Sequence, residues 1–90
     1  MEINEFRNWL KESHYKVTGE YPESITYSRG FRHVDLHDDG KVVITFCSML
    51  EYTVHETNVK DLERENAGSL KYKVMEEVEG EMKECEFYLC

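Results

Sequence analysis

Seventeen residues, Phe31 to Cys47 (FRHVDLHDDGKVVITFC), constrain this chain more than any other stretch, because they build a buried face in one hairpin register. Val34 and Leu36 alternate with His33, Asp35 and His37, and Val42, Ile44 and Phe46 alternate with Lys41, Val43 and Thr45. Side chains on a strand alternate between faces, so each apolar set occupies one face. A two-residue loop at Asp39-Gly40 pairs Leu36 with Val43 and sends the two sets to opposite faces. A three-residue loop, Asp38-Asp39-Gly40, pairs Leu36 with Val42 and Val34 with Ile44. One apolar face then forms, and Gly40 takes the left-handed bulge position that a Cβ would disfavour. The three-residue loop is the expected one.

A second hairpin is expected from Leu70 to Leu89, turning at Glu79-Gly80. That register sets Leu70 against Leu89, Tyr72 against Phe87 and Val74 against Cys85. Charged pairs agree with it, with Lys73 meeting Glu86 and Glu76 meeting Lys83 on the opposite face.

The remaining segments are read around these hairpins. Asn4 is a candidate cap for a first helix running to about His14, with Phe6, Trp9, Leu10 and Ser13 at helical spacing. Trp9 falls on the apolar stripe and is expected in the core. Tyr15–Thr18 is a short strand candidate, the segment from Gly19 to Glu23 with Pro22 a loop, and Ser24–Tyr27 an extended segment. Leu50, Tyr52 and Val54 alternate again and predict a further strand. Val59–Asn66 is expected to be a short helix, started by Thr57 or Asn58 and stopped by Gly68. The fold class predicted is α+β: an N-terminal helix packed on a mainly antiparallel sheet built from two hairpins, with a short helix between them.

Ninety residues suit a single domain spanning 1–90. No apolar run has the length to cross a bilayer, and the opening twenty residues lack the pattern of a signal peptide. Three cysteines, Cys47, Cys85 and Cys90, form no metal-ligand spacing and predict a reduced, cytoplasmic protein, with the Cys90 thiol exposed. The net charge of −8 argues against binding nucleic acid directly, which requires a basic face. It suits a basic protein partner, and it equally suits simple solubility.

Three constellations of residues could carry chemistry. His33, Asp35 and His37 share one strand face and could ligate zinc, but they also occupy the face where polar residues belong, and no fourth ligand is evident. Cys47 beside His33 suggests a thiolate–imidazole pair, yet nothing marks an oxyanion hole, and Cys47 reads more simply as a small buried hydrophobe. The glycines are isolated and form no phosphate-binding loop. No catalytic residue, metal or cofactor is therefore expected. The third constellation is the acidic set Glu76, Glu77, Glu79, Glu81, Glu84 and Glu86, interrupted by Lys83. Carboxylates in such an array can stand in for phosphates in a basic groove, and they also protect a hairpin tip from edge-to-edge association.

Met1-Glu2-Ile3-Asn4-Glu5-Phe6, Leu10-Lys11, Tyr15-Lys16-Val17, Ser24-Ile25-Thr26 and Asp39-Gly40 before Val43-Ile44 together resemble the start of a small acidic anti-CRISPR protein. The resemblance covers the first half of the chain. It implies a phage or mobile-element product that binds a type II-A RNA-guided nuclease in the host cell and mimics the DNA that nuclease reads. The second half departs from that family, which continues into helices where this chain predicts a hairpin. An immunity or antitoxin protein directed at a basic toxin, or a metal-binding regulatory domain on His33, Asp35 and His37, are the alternatives.

If these residues carry no chemistry, single replacement of Cys47, His33 or His37 by alanine leaves partner binding intact. Loss of binding in a variant with an unchanged thermal melt would revive the metal or thiol site.

Overall fold

In the computed structural model, which describes residues 1–66 and 68–90, one α-helix and eight strands are seen among the described residues. Five strands, β1 (Lys16–Glu20), β2 (Ser24–Arg29), β3 (Arg32–His37), β4 (Lys41–Cys47) and β5 (Tyr52–Asn58), form an antiparallel meander in chain order. Three more, β6 (Glu63–Asn66), β7 (Ser69–Val78) and β8 (Glu81–Leu89), form a second antiparallel sheet. Helix α1 spans Ile3–Glu12. The α+β class and the N-terminal helix are as expected. The division into two sheets is not, since the Phe31–Cys47 hairpin is the middle of a larger meander.

The central register follows the sequence. Leu36 lies opposite Val42 and Val34 opposite Ile44, and Gly40 closes the loop at φ +95°. Gly40 N donates to the His37 carbonyl (3.0 Å), and the Gly40 carbonyl accepts from Val59 N (2.9 Å), so this turn also anchors the chain leaving β5. The last hairpin likewise has the expected partners, Leu70–Leu89, Tyr72–Phe87 and Val74–Cys85. One detail is corrected there. Glu76 and Lys83 lie on the same face as Tyr72 and Val74, because residues an even number apart share a face. The ion pairs run diagonally, Lys73 to Glu84 (3.4 Å) and Lys71 to Glu86 (3.9 Å).

Helix α1 begins earlier than Asn4 would allow. Glu2 is the cap, and its amide donates to Glu5 Oε1 (3.3 Å). The early start brings Ile3 into helical phase with Phe6 and Leu10, so the apolar stripe gains a turn. The helix stops at Glu12 because His14 adopts φ +67°. Tyr15 N then bonds the Leu10 carbonyl (2.9 Å) and His14 N the Lys11 carbonyl (3.1 Å), a Schellman arrangement that satisfies two orphan carbonyls. β1 continues through Gly19 and Glu20, which the sequence reading placed in a loop, by means of a bulge between Val17 and Gly19.

The expected helix at Val59–Asn66 is a single 3₁₀ turn, Val59–Asp61, followed by strand β6. The extended chain pairs with β7, Glu63 opposite Lys71 and Arg64 opposite Leu70. In extended chain Glu63 and Glu65 share a face, and both reach Lys71 on β7 (3.7 and 4.0 Å). A helix there would offer only Val59 and Leu62 to the core, and both are buried without it.

The inner faces of both sheets and the stripe of α1 make one core. Phe6, Trp9 and Leu10 from the helix meet Tyr27, Val34, Val42 and Ile44 from the first sheet and Leu70, Tyr72 and Leu89 from the second. Trp9 stacks near Phe6 (centroids 6.2 Å) and Tyr15 (6.0 Å), and its buried indole N–H has no hydrogen-bond partner among the described residues. Polar ties cross between elements at the margins. Arg7 Nε donates to Tyr27 OH (3.3 Å), Glu12 pairs with Arg64 (3.6 Å), and Tyr15 OH donates to the Cys90 main-chain oxygen (3.0 Å).

Two glycine turns can be compared directly. A Cβ on Gly40 would come 3.2 Å from Val59 Cγ2 at a φ of +95°, whereas Gly30 (φ +60°) has open space around it. Gly40→Ala is expected to destabilise the chain by about 2 kcal/mol and Gly30→Ala by about 1 kcal/mol. Urea midpoints measure both, and equal losses would show that the turn's contact with Val59 carries no weight.

Candidate functional site

The five-stranded sheet turns its polar outer face to solvent. On it His33 Nδ1 meets Ser28 Oγ (2.7 Å), which in turn meets Thr18 Oγ1 (2.8 Å). Thr26 donates to the Asp35 carboxylate. His33 and Asp35 are therefore each engaged by a hydroxyl of the neighbouring strand, and His37 stands beside the β3–β4 turn. Among the described residues no group of three or more His, Cys, Asp or Glu is gathered closely enough to hold a metal ion. Cys47 is exposed, not the buried residue expected, because it lies at the end of β4 on this outer face. Cys90 is exposed as expected.

The acidic residues of the β7–β8 hairpin divide by register. Glu84 and Glu86 point away from the core and are partly neutralised by Lys73 and Lys71. The proximity of Glu86, and then of Glu65 and Glu63, raises the Lys71 pKa. Glu76 faces the other way, toward β5, and contacts His55 (3.4 Å). Glu77, Glu79 and Glu81 occupy the tip, exposed and without an ion pair among the described residues. Glu79 makes the turn at φ +54° with Gly80. The tip is not purely ionic. Met75 and Met82 are 58% and 63% exposed, and Met75 lies opposite Glu84 and Met82 opposite Glu77. Two methionines thus sit diagonally across the hairpin among carboxylates.

A third site went unseen in the sequence. Between β5 and the β7–β8 hairpin runs a cleft of about 430 Å³, lined by Phe46, His55, Tyr72, Phe87 and Tyr88, with Arg32, Glu51 and Glu76 contributing charge. Its origin is the inner face of β5. There Thr53, His55 and Thr57 point inward, while Tyr52 and Val54, the alternating apolar pair, point out and are exposed. Thr57 Oγ1 donates to the Lys73 carbonyl (3.3 Å), and His55 Nδ1 contacts Tyr72 OH (2.8 Å). The His55 ring lies against Phe87, centroids 4.2 Å apart. Glu76 can only accept, so the neutral imidazole places its proton on Nε2 toward that carboxylate and leaves Nδ1 to accept from Tyr72.

Burial pushes the Tyr72 hydroxyl up to about 12, with Arg32 opposing the rise and Glu76 adding to it. The Tyr15 hydroxyl is also raised by burial, against the opposing charge of Arg29, whose guanidinium lies 5.0 Å from the ring centre. Both phenols remain protonated donors across the physiological range. Compared with protein-family models, curated proteins and solved structures, the chain matches none.

The Tyr72 shift gives a signed expectation. Its folded-state pKa exceeds the unfolded value of 10.0, so the stabilisation is complete below pH 10 and is lost as pH rises through about 12. The full difference is on the order of 2–3 kcal/mol. Tyr72→Phe is expected to lower stability near neutral pH by about 1 kcal/mol, through the lost bond to His55, and to flatten the decline above pH 10. Denaturation from pH 8 to pH 11.5 measures this, with Tyr15 and Lys71 supplying the slope that remains. An unchanged alkaline slope in Tyr72→Phe would refute the assignment.

Proposed function

We propose that this chain is a non-enzymatic binding protein that engages a basic, nucleic-acid-binding surface on another protein through the β7–β8 hairpin. Glu77, Glu79 and Glu81 make the leading contacts, supported by Glu76, Glu84 and Glu86 along the strands. The observation that carries this reading is the state of the tip. Its three carboxylates have no ion pair among the described residues, while the carboxylates behind them are partly matched by Lys71 and Lys73. A net charge of −8 adds a long-range attraction that speeds encounter with a basic groove. Met75 and Met82 supply adaptable apolar contact beside the charges.

The resemblance of the first half to small acidic anti-CRISPR proteins supports the same mode of action. On that reading the partner is a CRISPR-type effector nuclease of the host cell. The protein is phage-encoded and acts in the host cytoplasm by occupying a channel built for nucleic acid. An array of carboxylates competes with phosphates for the same lysines and arginines, so inhibition needs stoichiometric binding and no chemistry.

Exposed ion pairs contribute roughly 0.2–1 kcal/mol each, so single Glu→Gln changes have little effect, while the triple change at Glu77, Glu79 and Glu81 weakens binding by about tenfold. The test captures the partner from host lysate at low and high salt with the parent chain and the triple variant, with thermal melts on the same samples. Equal capture by a folded triple variant would eliminate the hairpin mechanism. Capture of a basic toxin in place of a defence nuclease would redirect the reading to an immunity protein.

A further inference from the structure

We propose that the cleft between β5 and the β7–β8 hairpin receives an arginine side chain of a basic partner. The identity of the occupant rests on reading the chain as a binder of basic surfaces, but the cleft's own chemistry points the same way. Its walls are aromatic, with Phe46 and Phe87 contributing ring surface. Aromatic faces carry negative electrostatic potential and attract cations, and a planar guanidinium stacks on them more readily than an ammonium does.

The charged lining agrees. Glu51 and Glu76 contribute two carboxylates against one cation, Arg32. Arg32 also donates through Nη1 to the Cys90 main-chain oxygen (3.5 Å). Its charge acts on both the Tyr15 and Tyr72 hydroxyls, so the two carboxylates outnumber it without removing its charge from the lining. Glu76 presents Oε1 to His55 at 3.4 Å, which leaves Oε2 for a second donor, and its side chain is 40% exposed. The His55 ring is meanwhile fixed by Tyr72 OH on one side and by Phe87 on its face, so Glu76 lies beside a prearranged wall. An arginine entering here would stack its guanidinium on the rings and donate to Glu76, with Glu51 adding attraction from the start of β5. The cleft and the hairpin tip share the β7–β8 hairpin, so one basic segment can meet both.

The test needs no natural partner. The full chain, labelled with ¹⁵N, is titrated with Nα-acetyl-arginine N-methylamide, with its uncharged citrulline counterpart and with benzoate. Saturable amide shifts at Thr53, His55 and Phe87 are expected with the arginine probe and not with the other two. Glu51→Gln changes an exposed side chain and is expected to weaken the probe about two- to fivefold while thermal melts stay unchanged. Absence of saturation, equal shifts with citrulline, or preference for benzoate through Arg32 would each overturn the proposal. The tip variant lacking Glu77, Glu79 and Glu81 should bind the probe as the parent does. A failed titration therefore leaves the hairpin reading intact, and a failed capture experiment leaves the arginine site intact.

Discussion

Two polar contacts decide how the sheets meet. β5 turns Thr53, His55 and Thr57 inward, and polar groups taken from water without partners cost about 1–3 kcal/mol each. Thr57 finds the Lys73 carbonyl, and His55 finds Tyr72 OH. These bonds help to place β7 against β5, since the two partners, the Tyr72 hydroxyl and the Lys73 carbonyl, come from adjacent residues of β7. Beside these bonds a cleft remains between the sheets, rimmed by aromatic rings and carboxylates.

Much of this architecture is legible in residue order, wherever a single local rule decides. The β3–β4 register follows from parity plus Gly40, and the β7–β8 partners from parity plus Glu79-Gly80. The helix is legible in its stripe but not in its first residue, because Glu2 and Glu5 form a capping box two residues before Asn4 could cap. The 3₁₀ turn and β6 were not legible, since the strand that β6 pairs with, β7, lies further along the chain. The same holds for the cleft. Alternation of Leu50, Tyr52 and Val54 suggests an apolar inner face, whereas pairing Cys47 with Tyr52 across the β4–β5 loop puts His55 opposite Ile44. Carrying the β4 register through that loop is the signal that would have found His55. Of the acidic cluster, its location was legible and its division between two faces was not.

The charge distribution has an internal logic. Lys71 is ringed by Glu63, Glu65 and Glu86, and Lys73 answers Glu84, so two lysines offset part of the charge of four carboxylates in the body of the second sheet. Such exposed pairs add little stability individually. The turn adds its unpaired carboxylates to the negative charge left along the strands, and this discourages the free edge of β8 from pairing with another strand.

The main-chain oxygen of Cys90, gathered by Tyr15, Arg29 and Arg32, bears on the order of assembly. Consecutive strands of the meander close short loops and can zip one after another. The Tyr15–Cys90 contact spans 75 residues and the Arg29–Cys90 contact 61, so each forms only after the strands between are in place. Leu89, fully within the core, arrives by the same late route. During synthesis on a ribosome the meander would therefore wait with its inner face half covered, and the closing hairpin would be the step that ends its exposure to other chains.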